Sequence, residues 1–467
     1  MLDVRSGERV TNAVVLVSQG LIQGAGKGLA IPAGNTVVDL GSATCLPGLI
    51  DVHDHLTSDP ENSGYKGLGV SVPRSTVIGV KNARKTLMAG FTTVRNVGAD
   101  GYADVALRQG IEAGEVDGPH LLVSGPALGI TGGHCDETLL APEFKFVGPG
   151  VADGPWPARA KVREVIKYGA DLIKICASGG VLSKGDLPGA PQYSLEEIQA
   201  IVTEAHKLGR KVAAHAHGTQ SIKDAIQAGV DSVEHCSLID DEGIRLAREK
   251  GTFLVFDIYN DAYILEFGAK VGMLPESIEK ERKIGQVQRD NFRKAVLGGA
   301  RMAFGTDGGV YPHGDNAKQF IYMVDYGLKP LEAIRSATLN AAELMGLKDQ
   351  AGAVEKGRWA DVIAVPEISW CNCDGVEEWA SCQKAAECVR QLLACVHVVG
   401  PALREDLLAS GIKRCAAAKV VFTIGAGAVV GCVAIDAHIG ARLYSMASSR
   451  KCDILLALKE ISVGLHH

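Results

Sequence analysis

The sequence predicts an α/β chain: a (β/α)8 barrel of parallel strands, with a small β-rich domain built from its N- and C-terminal segments. Three observations carry this. Eight short apolar runs alternate with amphipathic stretches over about 260 residues, the size of a (β/α)8 barrel. Histidines and other polar residues recur at the C-terminal ends of those runs. No glycine-rich phosphate turn follows the first run, as an open doubly wound sheet would favour.

Residues 1–46 read as the first part of the small domain. The apolar stretches Ala13–Val17, Leu21–Gly24 and Thr36–Leu40 are separated by glycine turns. The barrel follows over residues 47–350. Its strands are expected at Leu49–His53, Phe91–Arg95, His120–Ser124, Asp171–Cys176, Lys211–His215, Asp231–His235, Thr252–Asp257 and Arg301–Thr306. Between them, Ser194 and Glu197 form a capping box, opening a helix that runs to Leu208 and stops at Gly209. A second helix runs from Gln220 to Gln227 and stops at Gly229, and Ile239-Asp240-Asp241-Glu242 starts a third. A helical segment spans Pro330 to Leu347. Gly352 to Val365 gives two short strands around a turn, so residues 351–366 return to the small domain.

Composition then changes. Of 12 cysteines, only Cys45, Cys135, Cys176 and Cys236 precede Trp370; the rest, starting with Cys371 and Cys373, show no zinc-finger spacing. Residues 367–467 read as an atypical tail, either a divergent extension or a translated frameshift.

The chain has 467 residues, 46% apolar and 22% charged, with a net charge of −6. That balance argues against nucleic acid as a partner. The longest apolar stretch, Val420 to Ile435, is short and glycine-rich, so no membrane span is expected. Met1 to Gly7 lacks the basic-then-apolar pattern of an export signal. A cytoplasmic protein is expected, although a trimmed leader would leave the same sequence.

The strand ends carry the chemistry. His53 and His55 close the first strand one residue apart, so both imidazoles can face one point. Lys174 sits inside the fourth, His215 and His217 end the fifth, His235 the sixth, and Asp307 follows the eighth. Burying an ammonium costs several kcal/mol. A buried lysine that loses its proton can instead react with carbon dioxide and become a carbamate, an anion with two oxygens. His53, His55 and Asp307 would then serve the more buried of two divalent ions, His215 and His235 the more exposed one, with Lys174 bridging.

These residues resemble the amidohydrolase superfamily, in its binuclear branch with a carboxylated lysine. The resemblance covers roughly residues 1–366. It rests on Pro47-Gly48-Leu49-Ile50-Asp51-Val52-His53-Asp54-His55, on Gly169 to Lys174, on Ala214 to Gly218, on Ser232 to His235 and on Phe304 to Asp307. Gly90 to Arg95, Thr131 to His134, Ala177 to Gly180 and Ala337 to Ala342 look like the imidazolonepropionase-related, Xaa-Pro dipeptidase-like group. Members of that group hydrolyse dipeptides or N-acyl amino acids with a free carboxylate, and relatives cleave the amide of ochratoxin.

The resemblance implies two zinc ions and hydrolysis by a metal-bridging hydroxide. Asp307 would carry the proton to the leaving amine, and His134 would hydrogen-bond the carbonyl or tetrahedral oxyanion. Some relatives have tyrosine where this chain has His217, which puts the substrate pocket rather than the metal site in question. Tyr259 and His313 are further candidates for substrate contact, because loops after the last strands carry such roles. A homo-oligomer acting on a small molecule or dipeptide is expected. A lactonase, a phosphotriesterase or an imidazolonepropionase-like cyclic amide hydrolase would use the same metal pair. A non-catalytic scaffold is the remaining alternative, and a complete ligand set argues against it.

Overall fold

The computed structural model describes residues 1–365 and the strand segments 397–399 and 419–423. The chain begins with four short strands, β1 (Ala13–Ser18), β2 (Leu21–Lys27), β3 (Thr36–Asp39) and β4 (Thr44–Pro47). The strand–helix alternation then runs β5 (Leu49–Asp54), α1 (Val72–Met88), β6 (Phe91–Asn96), α2 (Ala103–Glu112), β7 (His120–Val123), α3 (Pro155–Lys167), β8 (Leu172–Cys176), α4 (Leu195–Lys207), β9 (Lys211–Ala216), α5 (Thr219–Ala228), β10 (Ser232–His235), α6 (Asp241–Lys250) and β11 (Phe253–Val255). Five helices follow: α7 (Asn260–Val271), α8 (Pro275–Leu297), α9 (Lys318–Asp325), α10 (Pro330–Ser336) and α11 (Leu339–Met345). Three strands close the described chain, β12 (Val362–Val365), β13 (His397–Val399) and β14 (Lys419–Thr423).

The result is a TIM-barrel-like α/β fold. Strands β5, β6 and β7 form one parallel sheet, and β8 to β11 form another. Most positions of these strands are buried because helices cover one face and the interior the other. Leu172 to Cys176 is buried at every position, Lys174 included. Backbone bonds join the two sheets where β7 meets β8: Asp171 N–H donates to Val123 O at 2.7 Å, and Leu128 N–H to Lys174 O at 2.8 Å.

Carboxylates just before β8 and β10 pin those strands to the preceding ones. Asp171 accepts from Val123 N–H at 3.0 Å and pairs with Arg108. Asp231 accepts from Val212 N–H at 2.8 Å, and from His206 and Lys211. The helix caps follow local chemistry. Ser194 accepts from Glu197 N–H while Glu197 accepts from Ser194 N–H, closing the capping box. Gly229 ends α5 at φ 93°, a left-handed position that a side chain would strain.

Several sequence expectations are corrected. Residues 301–306 do not form a continuous eighth strand. The segment touches its neighbours through single bridges, Met302 to Leu254 and Gly308 to Asp54. Phe304 N–H instead donates to Ser336 O at 3.0 Å, which takes it out of a regular ladder. The helix expected over Pro330 to Leu347 breaks at Ala337 and Thr338, where the backbone turns out of the helical region. The break frees Ala337 O to accept from Ile50 N–H at 2.8 Å, docking the helices on β5.

Between Gly352 and Val365 there is one strand, β12, not two. Arg358 holds the preceding residues in turns by donating to the carbonyls of Lys348 and Ala351. The partner of β12 is β4, antiparallel, which periodicity over four residues did not reveal. Beyond residue 366, β13 adds to β12. Strand β14 fills the slot between β1 and β3. The small β unit therefore takes two strands from the stretch expected to stand outside it. The cysteines from Cys371 onward lie outside the described residues. Among the described residues no helix is long and apolar enough to cross a membrane.

Candidate metal centre and its cavity

A cavity of about 470 Å³ opens at the C-terminal ends of the parallel strands. His53, His55, His134, Lys174, His215, His217, His235 and Asp307 all line it. Strand alternation turns His53 and Lys174 inward from β5 and β8, His215 from β9 and His235 from β10. Three residues here sit in left-handed backbone without being glycine: His235 at φ 70°, Cys236 at φ 54° and Asp307 at φ 56°. Such strain persists where surrounding contacts hold it, and it gathers at functional sites.

Three groups of potential ligand atoms lie within 4.8 Å of one another: His53, His55 and Asp307; His215, His217 and His235; and His235, Asp257 and Asp307. In the first group the His55 side chain is 25% exposed, while the three members of the second group are buried. His217, expected at the substrate, packs with His215 and His235, its ring centroid 4.7 Å from each. Asp257 follows β11 and is not found from the sequence, because one carboxylate at the end of an apolar run carries no local signature.

The proton inventory shows whether these groups suit a metal. His53 Nδ1 lies 3.0 Å from a Glu234 carboxylate oxygen, and His235 Nδ1 lies 3.0 Å from Asp257. His55 Nδ1 lies 3.2 Å from Gly98 O, and His215 Nε2 lies 3.2 Å from Gly179 O. Carbonyls and carboxylates only accept, so in each ring this nitrogen carries the proton and the other holds a lone pair. The other nitrogens of His53 and His55, both Nε2, face Asp307 Oδ1 at 3.4 and 3.2 Å, where a shared proton or a bound cation offsets the negative oxygen. His53 Nε2 is buried and makes no hydrogen bond. Nitrogens and a carboxylate oxygen gathered this closely fit a cation in place of a shared proton, and outer partners of this kind fix the ligating tautomer.

Charge follows the same plan. Burial works against the Glu234 carboxylate, but Arg95 and His53 outweigh it and hold the group far below the usual carboxylate range. Arg95, 2% exposed, reaches Glu234 at 2.8 Å and Ser232 at 3.1 Å, tying β6 to β10. Burial likewise opposes Asp307, yet His53 and His55 keep it well below its ordinary value. Lys174 is pushed down to about 8 by burial, against the pull of Glu234 and Asp307. It has no hydrogen-bond or ion-pair partner among the described residues, and it lies close enough to neutral to supply a free amine. Burial lowers His215 and His217 well below the ordinary imidazole value, and neighbouring imidazoles add to it.

His134 stacks on His215 with ring centroids 4.2 Å apart. Its Nδ1 lies 2.8 Å from Ser183 Oγ, which donates to Asp186 at 2.7 Å. The hydroxyl has one proton, so His134 Nδ1 must be the donor and Nε2 the lone pair. Gly180 makes this placement possible: a Cβ there would stand 2.2 Å from the ring. A disulfide between Cys135 and Cys176 ties the His134 loop to the strand of Lys174, a link that cysteine spacing does not announce.

Two expected substrate contacts lie elsewhere. Tyr259 does not line the cavity; its ring packs on Tyr311 at 4.8 Å and its hydroxyl accepts from Lys318 at 3.3 Å. His313 is buried behind the centre, 3.3 Å from Asp54 and 3.3 Å from Ser58 O. Tyr259 is held there by Tyr311 and Lys318, and His313 by Asp54 and Ser58.

Lone-pair nitrogens and carboxylates at the strand ends of a TIM-barrel-like fold define a hydrolase of the kind that holds divalent metal there. The chain belongs to the amidohydrolase family, whose pattern matches residues 44–383, and it is a hydrolase acting on C–N bonds. It is 33% identical to ochratoxinase from Aspergillus niger over 383 residues, 77% of this chain and 78% of that protein. A crystal structure of a Xaa-Pro dipeptidase with bound methionine in the active site aligns at TM-score 0.70 and 32% identity, covering 84% of this chain and 98% of the other. A prolidase complexed with N-methylphosphonate-L-proline aligns at TM-score 0.71 and 30% identity, covering 83% and 98%.

Proposed function

We propose that this chain hydrolyses the amide bond of a small substrate with a free carboxylate, a Xaa-Pro dipeptide or an N-acyl amino acid, using two zinc ions and a carboxylated Lys174. The observation that carries the reading is the arrangement of lone pairs on His53, His55, His215 and His235, each fixed by an outer acceptor. Similarity to an ochratoxinase and to prolidase-type structures supports the amide bond as the target. In this reading the segment 301–308 completes a closed eight-membered ring between β11 and β5.

His53 and His55 with Asp307 would hold one ion, and His215 and His235 the other, with the Lys174 carbamate between them. When bound, such ions acidify a water and polarise a carbonyl. Asp307 accepts the water's proton and delivers it to the leaving amine. Its second oxygen, held by Asn260 at 3.0 Å, keeps the carboxylate oriented meanwhile. His134 is pushed down to about 4 by burial, so its Nε2 first presents a lone pair. As negative charge builds beside it, with Asp186 behind, the ring would take a second proton from solvent at Nε2 and donate it in a hydrogen bond to the oxyanion. That bond strengthens only as charge develops, which is where stabilisation raises turnover.

The test is metal analysis of purified protein, followed by a panel of Xaa-Pro dipeptides, N-acyl amino acids, lactones and phosphotriesters. About two metals per chain are expected, with turnover of the amides. Asp307→Asn should lose about 100-fold or more in kcat while metal is largely retained. Turnover confined to lactones or phosphotriesters, or an Asp307→Asn variant as fast as the parent, overturns the reading.

A further inference from the structure

We infer that Lys280 is a positioning residue for the hydrolysis: from behind the cavity wall it fixes the loop that aims His134. This rests on the role given to His134 in the amide-hydrolase reading.

Between β8 and α4 the chain forms no helix or strand, so side chains must set its course. Lys280 of α8 is 8% exposed. Its Nζ lies 3.2 Å from Gly180 O, 2.8 Å from Ser183 O and 2.8 Å from Asp186 Oδ1. An ammonium has three donors and no acceptor, so all three are spent on this one loop. Glu276, a turn earlier on α8, accepts from Gly185 N–H at 2.8 Å and lies 3.4 Å from Lys280. Neither Lys280 nor Asp186 lines the cavity, so neither meets the substrate.

Asp186 passes this hold to His134 by two arms. Its Oδ1 accepts from Lys280 and from Ser183 Oγ, the hydroxyl that in turn receives the His134 ring. Its Oδ2 accepts from Gly180 N–H and from Gln192 Nε2, both at 3.1 Å. Gln192 Oε1 accepts from the His134 N–H at 3.0 Å. Ring and backbone of His134 therefore both hang on one carboxylate. Among the described residues Lys280 is the sole lysine or arginine paired with it. Burial works against this carboxylate, but Lys280 and Ser183 outweigh it and hold the group below its ordinary value. Removing the ammonium takes a donor from Gly180 O and Ser183 O and the cation from Asp186. Gly180 is the residue that leaves room for the His134 ring, so a shift there reaches the ring directly. A catalytic group misplaced by an ångström costs about 100-fold in rate.

Lys280→Met keeps the length of the side chain and loses its charge and donors. We expect kcat on the best amide substrate to fall about 100-fold, with KM within about threefold and metal content unchanged. In a His134→Ala background the same change should cost no more than about threefold, because the group it acts through is gone. Lys280→Arg, which keeps the charge and the donors, should recover most of the loss. Equal losses in both backgrounds, or Lys280→Arg as slow as Lys280→Met, overturn the inference and leave the amide reading intact. If the parent turns over no amide, that reading fails, and hydrogen exchange of the metal-free proteins decides. Lys280→Met should then speed exchange in the peptides covering residues 131–136 and 178–192, and unchanged exchange at 131–136 sinks the role of Lys280. Should Lys280→Met fail to fold, Lys280→Gln enters the same cycle. Failure of both would make Lys280 a residue of stability alone and overturn the inference.

Discussion

Replacing Glu234 by glutamine changes one oxygen into an NH2 and should disable the centre without touching a ligand. The side chain is fully buried, so no water repairs the change. One oxygen accepts from His53 Nδ1 at 3.0 Å; the other accepts from Arg95 at 2.8 Å and from Ser232. Glutamine has two orientations. With its oxygen toward Arg95, its NH2 meets the His53 N–H, and the ring must move its proton to Nε2. That proton then occupies the lone pair facing His55 and Asp307. With its oxygen toward His53, its NH2 confronts a buried guanidinium. That leaves Arg95 without its charge partner, at about 3–5 kcal/mol. The first orientation is cheaper, so weakened metal binding is the main expected result, about 10–100-fold. Either way the ion pair with Arg95 becomes a charge–dipole contact, so stability falls by about 1–3 kcal/mol as well. The assay is competitive metal titration against a chelating dye, with denaturant unfolding of the metal-free forms alongside. Glu234→Gln that binds metal within twofold of the parent, and unfolds at the same midpoint, would refute the tautomer argument.

Two further outcomes follow from packing and charge. Gly180→Ala places a methyl 2.2 Å from the His134 ring, so the ring must shift; turnover should drop by about 100-fold with metal content unchanged, read by kcat beside metal analysis. Asp231 is held below the ordinary carboxylate value by Lys211, Val212 N–H and His206, which together outweigh burial. A depressed folded value means its stabilisation is present above the unfolded value of about 3.9 and is lost as pH falls through the folded one. Asp231→Asn should therefore cost about 1–2 kcal/mol near neutral pH and little below about pH 3. Parallel pH–stability curves for the two proteins would contradict this.

Much of the scaffold was legible because its signals are local. The apolar runs at Asp171 to Cys176 and Lys211 to His215 read as buried strands from composition alone. Ser194 with Glu197, and Gly229, marked helix ends through chemistry spanning four residues. The same logic missed β4 and the break at Thr338, where a four-residue strand or a single turned residue is decided by its partner. It also overstated the segment before Asp307. That segment has the look of a strand and bonds to both neighbours, Ala303 N–H to Leu254 O and Thr306 N–H to His53 O, but Phe304 N–H turns to Ser336 O and interrupts the ladder.

By itself, the sequence determined which residues could do chemistry: two histidines one residue apart turn the same way, and a lysine in an apolar run must be buried or altered. Only the tertiary structure decided what each would do. His53 owes its proton position to Glu234, 181 residues away, and His55 owes its own to a backbone carbonyl that no side-chain pattern announces. His217 joined the histidine group and His313 left the site because of what packed against them. The physical reason is range. Side-chain direction and capping are set within a few residues, whereas hydrogen-bond partnership and burial are set by segments brought together when the whole chain closes around one cavity.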